Sequence, residues 1–202
     1  MSKWIKPIVI LAVIGAFIAL ESACKNENGN MANNNSTAAR SSKNASTPGT
    51  GNALSEADRE FMMQAANGGM AEVELGRIAE QRAANNDVKT FGKRMVDDHS
   101  KANDELMRLA SEKGVTVPKS PEGKEKDSID QLSKLSGNQF DREYIENMVK
   151  DHTEDVAEFE REANQGENPD IRAWAAKTLP TLREHLQMAR NTADKMGVSA
   201  RR

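Results

Sequence analysis

From Ser55 to Gly197 the chain is divided by helix-start and helix-stop signals into long segments, and this restricts its fold more than any other feature. Ser55, followed by Glu56, Asp58 and Glu60, predicts an N-cap and an acidic first turn for a helix reaching about Ala84. Asn85-Asn86-Asp87 marks a short turn and the next cap, and Gly114 ends that second helix after Lys113. Two prolines and a glycine make Val115–Lys126 a crossover loop. A short helix from Ser128 follows, broken at Ser136-Gly137. The third long helix spans about Asn138 to Ala163. The fourth opens at Asn168-Pro169-Asp170, with Pro at the first helical position, and stops at Gly197. Ala, Glu, Lys, Arg, Leu and Met dominate this region, and all favour helix. Aromatic residues are only 4% of the chain, too few for a large sheet. The expectation is an all-α fold: an antiparallel four-helix bundle over residues 55–197 with a crossover between helices 2 and 3, and a short tail at 198–202.

At 100° per residue, each long helix has one apolar face. Phe61, Ala65, Gly68, Leu75 and Ala79 share a face on the first helix, with Glu72 in its middle. Val88, Phe91, Met95, Ala102 and Leu106 surround His99 on the second, and Ile145, Met148, Val156 and Phe159 surround His152 on the third. Ile171, Trp174, Leu182 and Ala189 form the stripe of the fourth, with His185 towards one side. These four polar residues lie near their helix midpoints, so antiparallel packing puts them in one layer within ~5 Å along the axis. The only three histidines of the chain are among them. Asp155, one turn from His152, is placed to join the layer, whereas Asp98 and Glu184 are expected to point about 100° away. Each histidine also has a methionine nearby: Met95, Met148 and Met188. Met95-Val96-Asp97-Asp98-His99-Ser100 matches Met148-Val149-Lys150-Asp151-His152-Thr153 as a short partial repeat. Pro180, inside the fourth helix, frees the carbonyl of Ala176 and is expected to kink the helix near His185.

The N-terminus carries a different message. Lys3 and Lys6 precede an uncharged run, Pro7 to Leu20. As a helix that run spans about 21 Å, short of the roughly 30 Å bilayer core, so it is expected to be a signal peptide over residues 1–23. Cys24, the single cysteine, follows it as a bacterial lipoprotein signal would place its lipidated residue, although Glu21 stands where that pattern wants an apolar side chain. Residues 25–53 hold no Val, Ile, Leu or aromatic residue. The segment 24–54 is therefore expected to be a lipidated cysteine and a tether with a reach on the order of 30 Å. The location implied is the cell envelope, outer membrane or periplasm, with the membrane as partner through the anchor. The rest of the chain is net acidic with no basic stripe, which argues against nucleic acid.

The segments Glu72-Val73-Glu74-Leu75-Gly76, Met95-Val96 to Asp98-His99, His152, and Leu179-Pro180-Thr181-Leu182 leading to His185 resemble the bacterial domain of unknown function 4142. The resemblance runs over about 55–197 and implies a ferritin-like four-helix protein, often exported, with no established reaction. The Glu-x-x-His pairs of di-iron carboxylate proteins are missing, since Val96 and Leu182 stand three residues before His99 and His185.

Two functions fit these residues. Three imidazoles with Glu72 and Asp155 suit a transition metal such as Zn, Cu, Fe or Ni. The same side chains also suit a hydrogen-bond network in a non-catalytic structural or envelope-stress protein. No nucleophile triad, phosphate loop or dinucleotide fingerprint is present, so the sequence does not point to an enzyme.

Overall fold

The computed structural model describes residues 54–198. The expected signal peptide, Cys24 and the tether before Leu54 lie outside the described residues, as does the tail beyond Val198. Among the described residues there are five helices and no strand: α1 (Glu56–Arg82), α2 (Asn86–Lys113), α3 (Lys124–Leu132), α4 (Gly137–Gln165) and α5 (Pro169–Met196). No helix among them is long and apolar enough to cross a membrane.

Local chemistry sets the ends. The Ser55 hydroxyl accepts from the Asp58 amide at 3.1 Å, and the Asn85 and Asn168 side chains accept from Asp87 and Asp170 amides at 2.7 and 3.0 Å. Gly114 and Gly197 end α2 and α5 in the left-handed region, at φ 67° and 65°. The crossover departs from expectation in one respect: α3 begins at Lys124, a turn before Ser128, because Gly123 at φ 58° launches the helix there. α5 runs as one helix through Pro180.

Contacts along the helices give their directions. Lys113 pairs with Asp170, Lys177 with Glu105, and Lys195 with Asp87, so α5 ascends as α2 descends. Phe61 packs on Phe159 near the start of α1, while Ala84 past its end meets Asp141 near the start of α4, so these two also run antiparallel. With three-residue links inside the α1–α2 and α4–α5 hairpins, α2 and α4 must run parallel, and α3 with its loops returns the chain between them, lying against α1 and α4.

The two hairpins repeat one design at a spacing of 83 residues. Asp58 accepts from the Glu167 and Asn168 amides at the α4–α5 link, both at 3.0 Å. Asp141 accepts from the Ala84 and Asn85 amides at the α1–α2 link, at 3.1 and 2.8 Å. Asn85 and Asn168 are the caps that follow, and Gly114 and Gly197 the stops. Val115 and Val198 then each donate back to Ala110 and Ala193. Val198, the first residue of the expected tail, is buried in the apolar core. The repeat therefore relates hairpin to hairpin, and not α2 to α4 as the short match around His99 and His152 suggested.

α1 and α2 approach through a reciprocal glycine contact. A Cβ on Gly76 would stand 2.6 Å from the Gly92 carbonyl oxygen, and one on Gly92 would stand 2.8 Å from that of Gly76. Apolar packing is split into two bodies. One gathers Leu75, Phe91, Met95, Tyr144, Met148 and Ala189, the other Phe61, Leu106, Phe159, Ile171, Trp174 and Leu182. The polar layer lies between them. Met95 and Met148 belong to the first body as fully buried filler.

Candidate metal centre

The structure brings together the four side chains expected to meet. Glu72 and His99 are buried, and His152 and His185 have no exposed surface. Ring centroids lie 5.6 Å apart for His99 and His152, 5.1 Å for His99 and His185, and 5.3 Å for His152 and His185.

Each imidazole is held from outside. His152 Nδ1 donates to the Met148 carbonyl at 3.1 Å, one turn back on α4. His185 Nε2 donates to Asp98 Oδ2 at 3.0 Å. His99 Nδ1 donates to Glu72 Oε2 at 2.9 Å. A carbonyl or carboxylate oxygen only accepts, so these contacts fix the tautomers. On a neutral ring the other nitrogen then carries a lone pair. Those nitrogens are His152 Nε2, His185 Nδ1 and His99 Nε2. His152 Nε2 and His185 Nδ1 face each other at 3.3 Å, and His99 Nε2 is buried without a partner.

Electrostatics agree with neutral rings on α4 and α5. Burial lowers the pKa of His152, and burial together with the neighbouring rings pushes His185 down to about 4. Burial opposes charge on His99 too, but the Glu72 carboxylate outweighs it and the net shift is upward. Burial likewise works against the Glu72 carboxylate, yet the histidines, His99 first, hold it down at about 2. The layer thus carries a carboxylate at Glu72, the one negative charge facing all three rings.

The ligand-type atoms fall into two overlapping triads. One nitrogen each of His99, His152 and His185 lie within 4.8 Å of one another, and so do donors of Glu72, His152 and Asp155. His152 is shared, and Glu72 Oε1 stands 3.4 Å from its Nε2. Asp155 therefore joins the Glu72 side of the layer, not the three-histidine side.

Asp98 corrects the expectation that it points away from the histidines. A residue 100° off the inner face of α2 points into the seam with α5, and in that seam His185 reaches sideways to meet it. Arg94, one turn back, pairs with the same carboxylate, and the two contacts hold Asp98 below the usual carboxylate range against the opposing effect of burial. Only the packing partner of α2 makes Asp98 a site residue, and sequence periodicity carries no sign of that partner.

A helical fold whose interior is crossed by a layer of three histidines and a carboxylate defines this protein as a helical bundle with a polar centre. It belongs to the DUF4142 family, a domain of unknown function whose model matches residues 43–192. No protein of curated function matches the sequence. Solved structures share the fold at low identity. A DUF305 fragment from Deinococcus radiodurans is 15% identical with a TM-score of 0.59, covering 71% of this chain and 97% of its own. A DUF305 protein from Streptomyces coelicolor, described as a candidate secreted protein, is 13% identical with a TM-score of 0.61, covering 70% and 93%. A conserved hypothetical protein, rv2844, from Mycobacterium tuberculosis is 19% identical with a TM-score of 0.52, covering 70% and 91%.

Proposed function

We propose that this protein binds a transition metal ion between His99, His152 and His185. The observation that carries the proposal is the facing pair His152 Nε2 and His185 Nδ1 at 3.3 Å. Both rings donate their only proton outward, so two lone pairs meet with no hydrogen between them. Two acceptors at that separation repel unless a cation lies between them. Bonds of 2.0–2.1 Å to a tetrahedral ion put neighbouring nitrogens about 3.3–3.4 Å apart. The buried, unpartnered Nε2 of His99 supplies the third donor. Met148, Asp98 and Glu72 are then the outer partners that orient the three rings, as such partners do around bound metals. Three protein nitrogens leave one coordination position open. Imidazole donors suit Zn, Cu, Fe or Ni.

The same reading makes the protein an exported one, and sequence features support it. The basic start, the apolar run Pro7–Leu20 and Cys24 support export with a lipid anchor, and residues 25–53 support a tether that lets the bundle stand off the envelope. The description of the Streptomyces coelicolor structure as a candidate secreted protein agrees with that location.

Titration with Co2+, followed by its visible absorbance, tests the centre. One ion per chain is expected, with a raised melting temperature, since an ion that binds the native state stabilises it. Loss of the absorbance in His185→Gln is expected as well. A wild-type protein that gains neither absorbance nor thermal stability from Co2+, Zn2+ or Cu2+ overturns the proposal. Intact mass of the processed protein tests the anchor. A mature N-terminus other than a modified Cys24 overturns that part.

A further inference from the structure

Between α1, α3 and α4 lies a cavity of ≈ 40 Å³ whose inner wall is formed by Glu72 and Asp155. A water needs about 10–15 Å³ of such space, so the cavity has room for a partly hydrated ion. Five carboxylates line it: Glu72, Glu125, Asp151, Glu154 and Asp155, against the single cation Lys124. The outer three have lysine partners. Lys124 lies 3.7 Å from Glu125, and Lys150 lies 3.8 Å from Asp151 and 3.6 Å from Glu154. The inner two differ. Glu72 Oε1 is buried with no hydrogen-bond donor, on a side chain only 7% exposed. Asp155 has no ion-pair partner among the described residues. Donor atoms of these two residues lie within 4.8 Å of each other.

We propose that this cavity is a second cation site, in which Glu72 Oε1 and the Asp155 carboxylate hold a hard divalent ion of the Mg2+, Ca2+ or Mn2+ class, with Asp151 towards its mouth. Two carboxylates so close repel one another, and a divalent ion between them removes the repulsion and supplies the partner that Glu72 Oε1 lacks. Oxygen donors with water completing the shell select hard ions over the transition metals that imidazole favours. His152 Nε2 stands between the two sites, 3.3 Å from His185 Nδ1 and 3.4 Å from Glu72 Oε1, so the sites adjoin and differ in their donors, three imidazoles on one side and two carboxylates on the other. Glu72 serves both: Oε2 orients His99, and Oε1 faces the cavity. The two acids also occupy the same place in the two hairpins, 83 residues apart, so the repeated design delivers one carboxylate from each half to the cavity.

Mn2+ titration of the full-length protein, read by the loss of the free-ion electron paramagnetic resonance signal, tests the proposal. One bound Mn2+ per chain is expected, with a Kd on the order of 10⁻⁴ M or tighter. Asp155→Asn is expected to weaken it tenfold or more, and Asp151→Asn, further from the polar layer, to weaken it by a smaller factor. Co2+ absorbance is read on the same samples. Asp155→Asn is expected to keep the Co2+ bands of the histidine centre, which also shows that the variant is folded. Failure to take up Mn2+ at millimolar concentration overturns the proposal and leaves a shared proton as the bond between the two acids. Mn2+ binding that Asp155→Asn leaves unchanged overturns it too. Mn2+ binding without any Co2+ band would sink the histidine centre and leave this site standing.

Discussion

Gly76→Ala should damage both the packing and the histidine layer, although a Cβ at Gly76 would meet Gly92, Val96 and Met95 and no histidine. The new Cβ would lie 2.6 Å from the Gly92 carbonyl oxygen, a backbone atom that cannot swing aside. Relief requires α1 and α2 to separate by roughly 0.5 Å, and overpacking of this kind costs about 1–3 kcal/mol. Alanine returns up to ~1 kcal/mol through its better helix propensity. The hydrogen bond from His99 Nδ1 to Glu72 Oε2 crosses the same helix pair one turn away, at 2.9 Å. An equal displacement carries it to about 3.4 Å, beyond the usual limit for an N–H···O bond. His99 then loses its orienting partner, a change that typically weakens metal binding 10-fold or more. For a domain of this size, a net loss of 1–2 kcal/mol lowers Tm by about 3–8 °C. Gly68, two turns earlier on α1, is the internal control. Nothing lies within 4 Å of a Cβ there, so Gly68→Ala should gain about 0.4–1 kcal/mol. Thermal melting in chelator and Co2+ affinity measure the two effects. If Gly76→Ala melts at or above the wild type, the two helices are not in backbone contact and the reasoning fails.

Asp98→Ala leaves His185 Nε2–H without its acceptor, so Co2+ affinity should drop 10- to 100-fold by isothermal titration, and an unchanged affinity would show that Asp98 does not orient the ring. Asp141→Ala strands the Ala84 and Asn85 amides at the α1–α2 link and should cost about 2–4 kcal/mol in urea denaturation; a loss under 1 kcal/mol refutes the clasp. Glu162 on α4 is pushed from 4.5 to about 7, first by burial and then by the Asp58 carboxylate on α1, with Arg161 opposing and Glu158 adding to the shift. Its proton is held more tightly in the folded state, so its contribution is fully present below about pH 4.5 and is lost as pH rises towards 7. Glu162→Gln should therefore flatten the fall in stability over that window, and an unaltered pH profile would assign the fall to other groups.

The helices were legible because their ends are written in short-range chemistry. Ser55, Asn85 and Asn168 cap, and Gly114 and Gly197 stop, through contacts within a few residues. The polar layer was legible for a related reason. In long antiparallel rods, face and height follow from residue number alone, and Glu72, His99, His152 and His185 coincide in both. What escaped depends on which helices are neighbours. Asp98 became a histidine partner only through the α2–α5 seam. Asp58 reads as an ordinary first-turn acid and Asp141 carries no local signal, although each holds the far hairpin's link. The division of the polar residues into two triads depends on a few ångströms of side-chain placement, and periodicity gives only an angle. The 83-residue repeat was hidden because its identical pairs are few and sit near the helix ends, while along the helices the matched residues differ: Glu72 answers to Asp155, and Val88 to Ile171.

The crossed carboxylate clasps have a consequence for how the molecule comes apart. Asp58 finishes the turn of the second hairpin and Asp141 finishes the turn of the first, so neither hairpin can satisfy its own link. The three histidines are divided in the same way, with His99 on one hairpin and His152 and His185 on the other. A half-unfolded molecule would expose two stranded amides in the surviving turn and face its remaining buried polar groups with nothing. Such a state forfeits bonds on both sides of the break at once, which removes it as a stopping place between native and unfolded. Cooperativity is thus wired across the hairpins, and the histidine layer exists only in the intact bundle: whatever the layer holds is gripped or released in a single event, with no loosened form that keeps half a site.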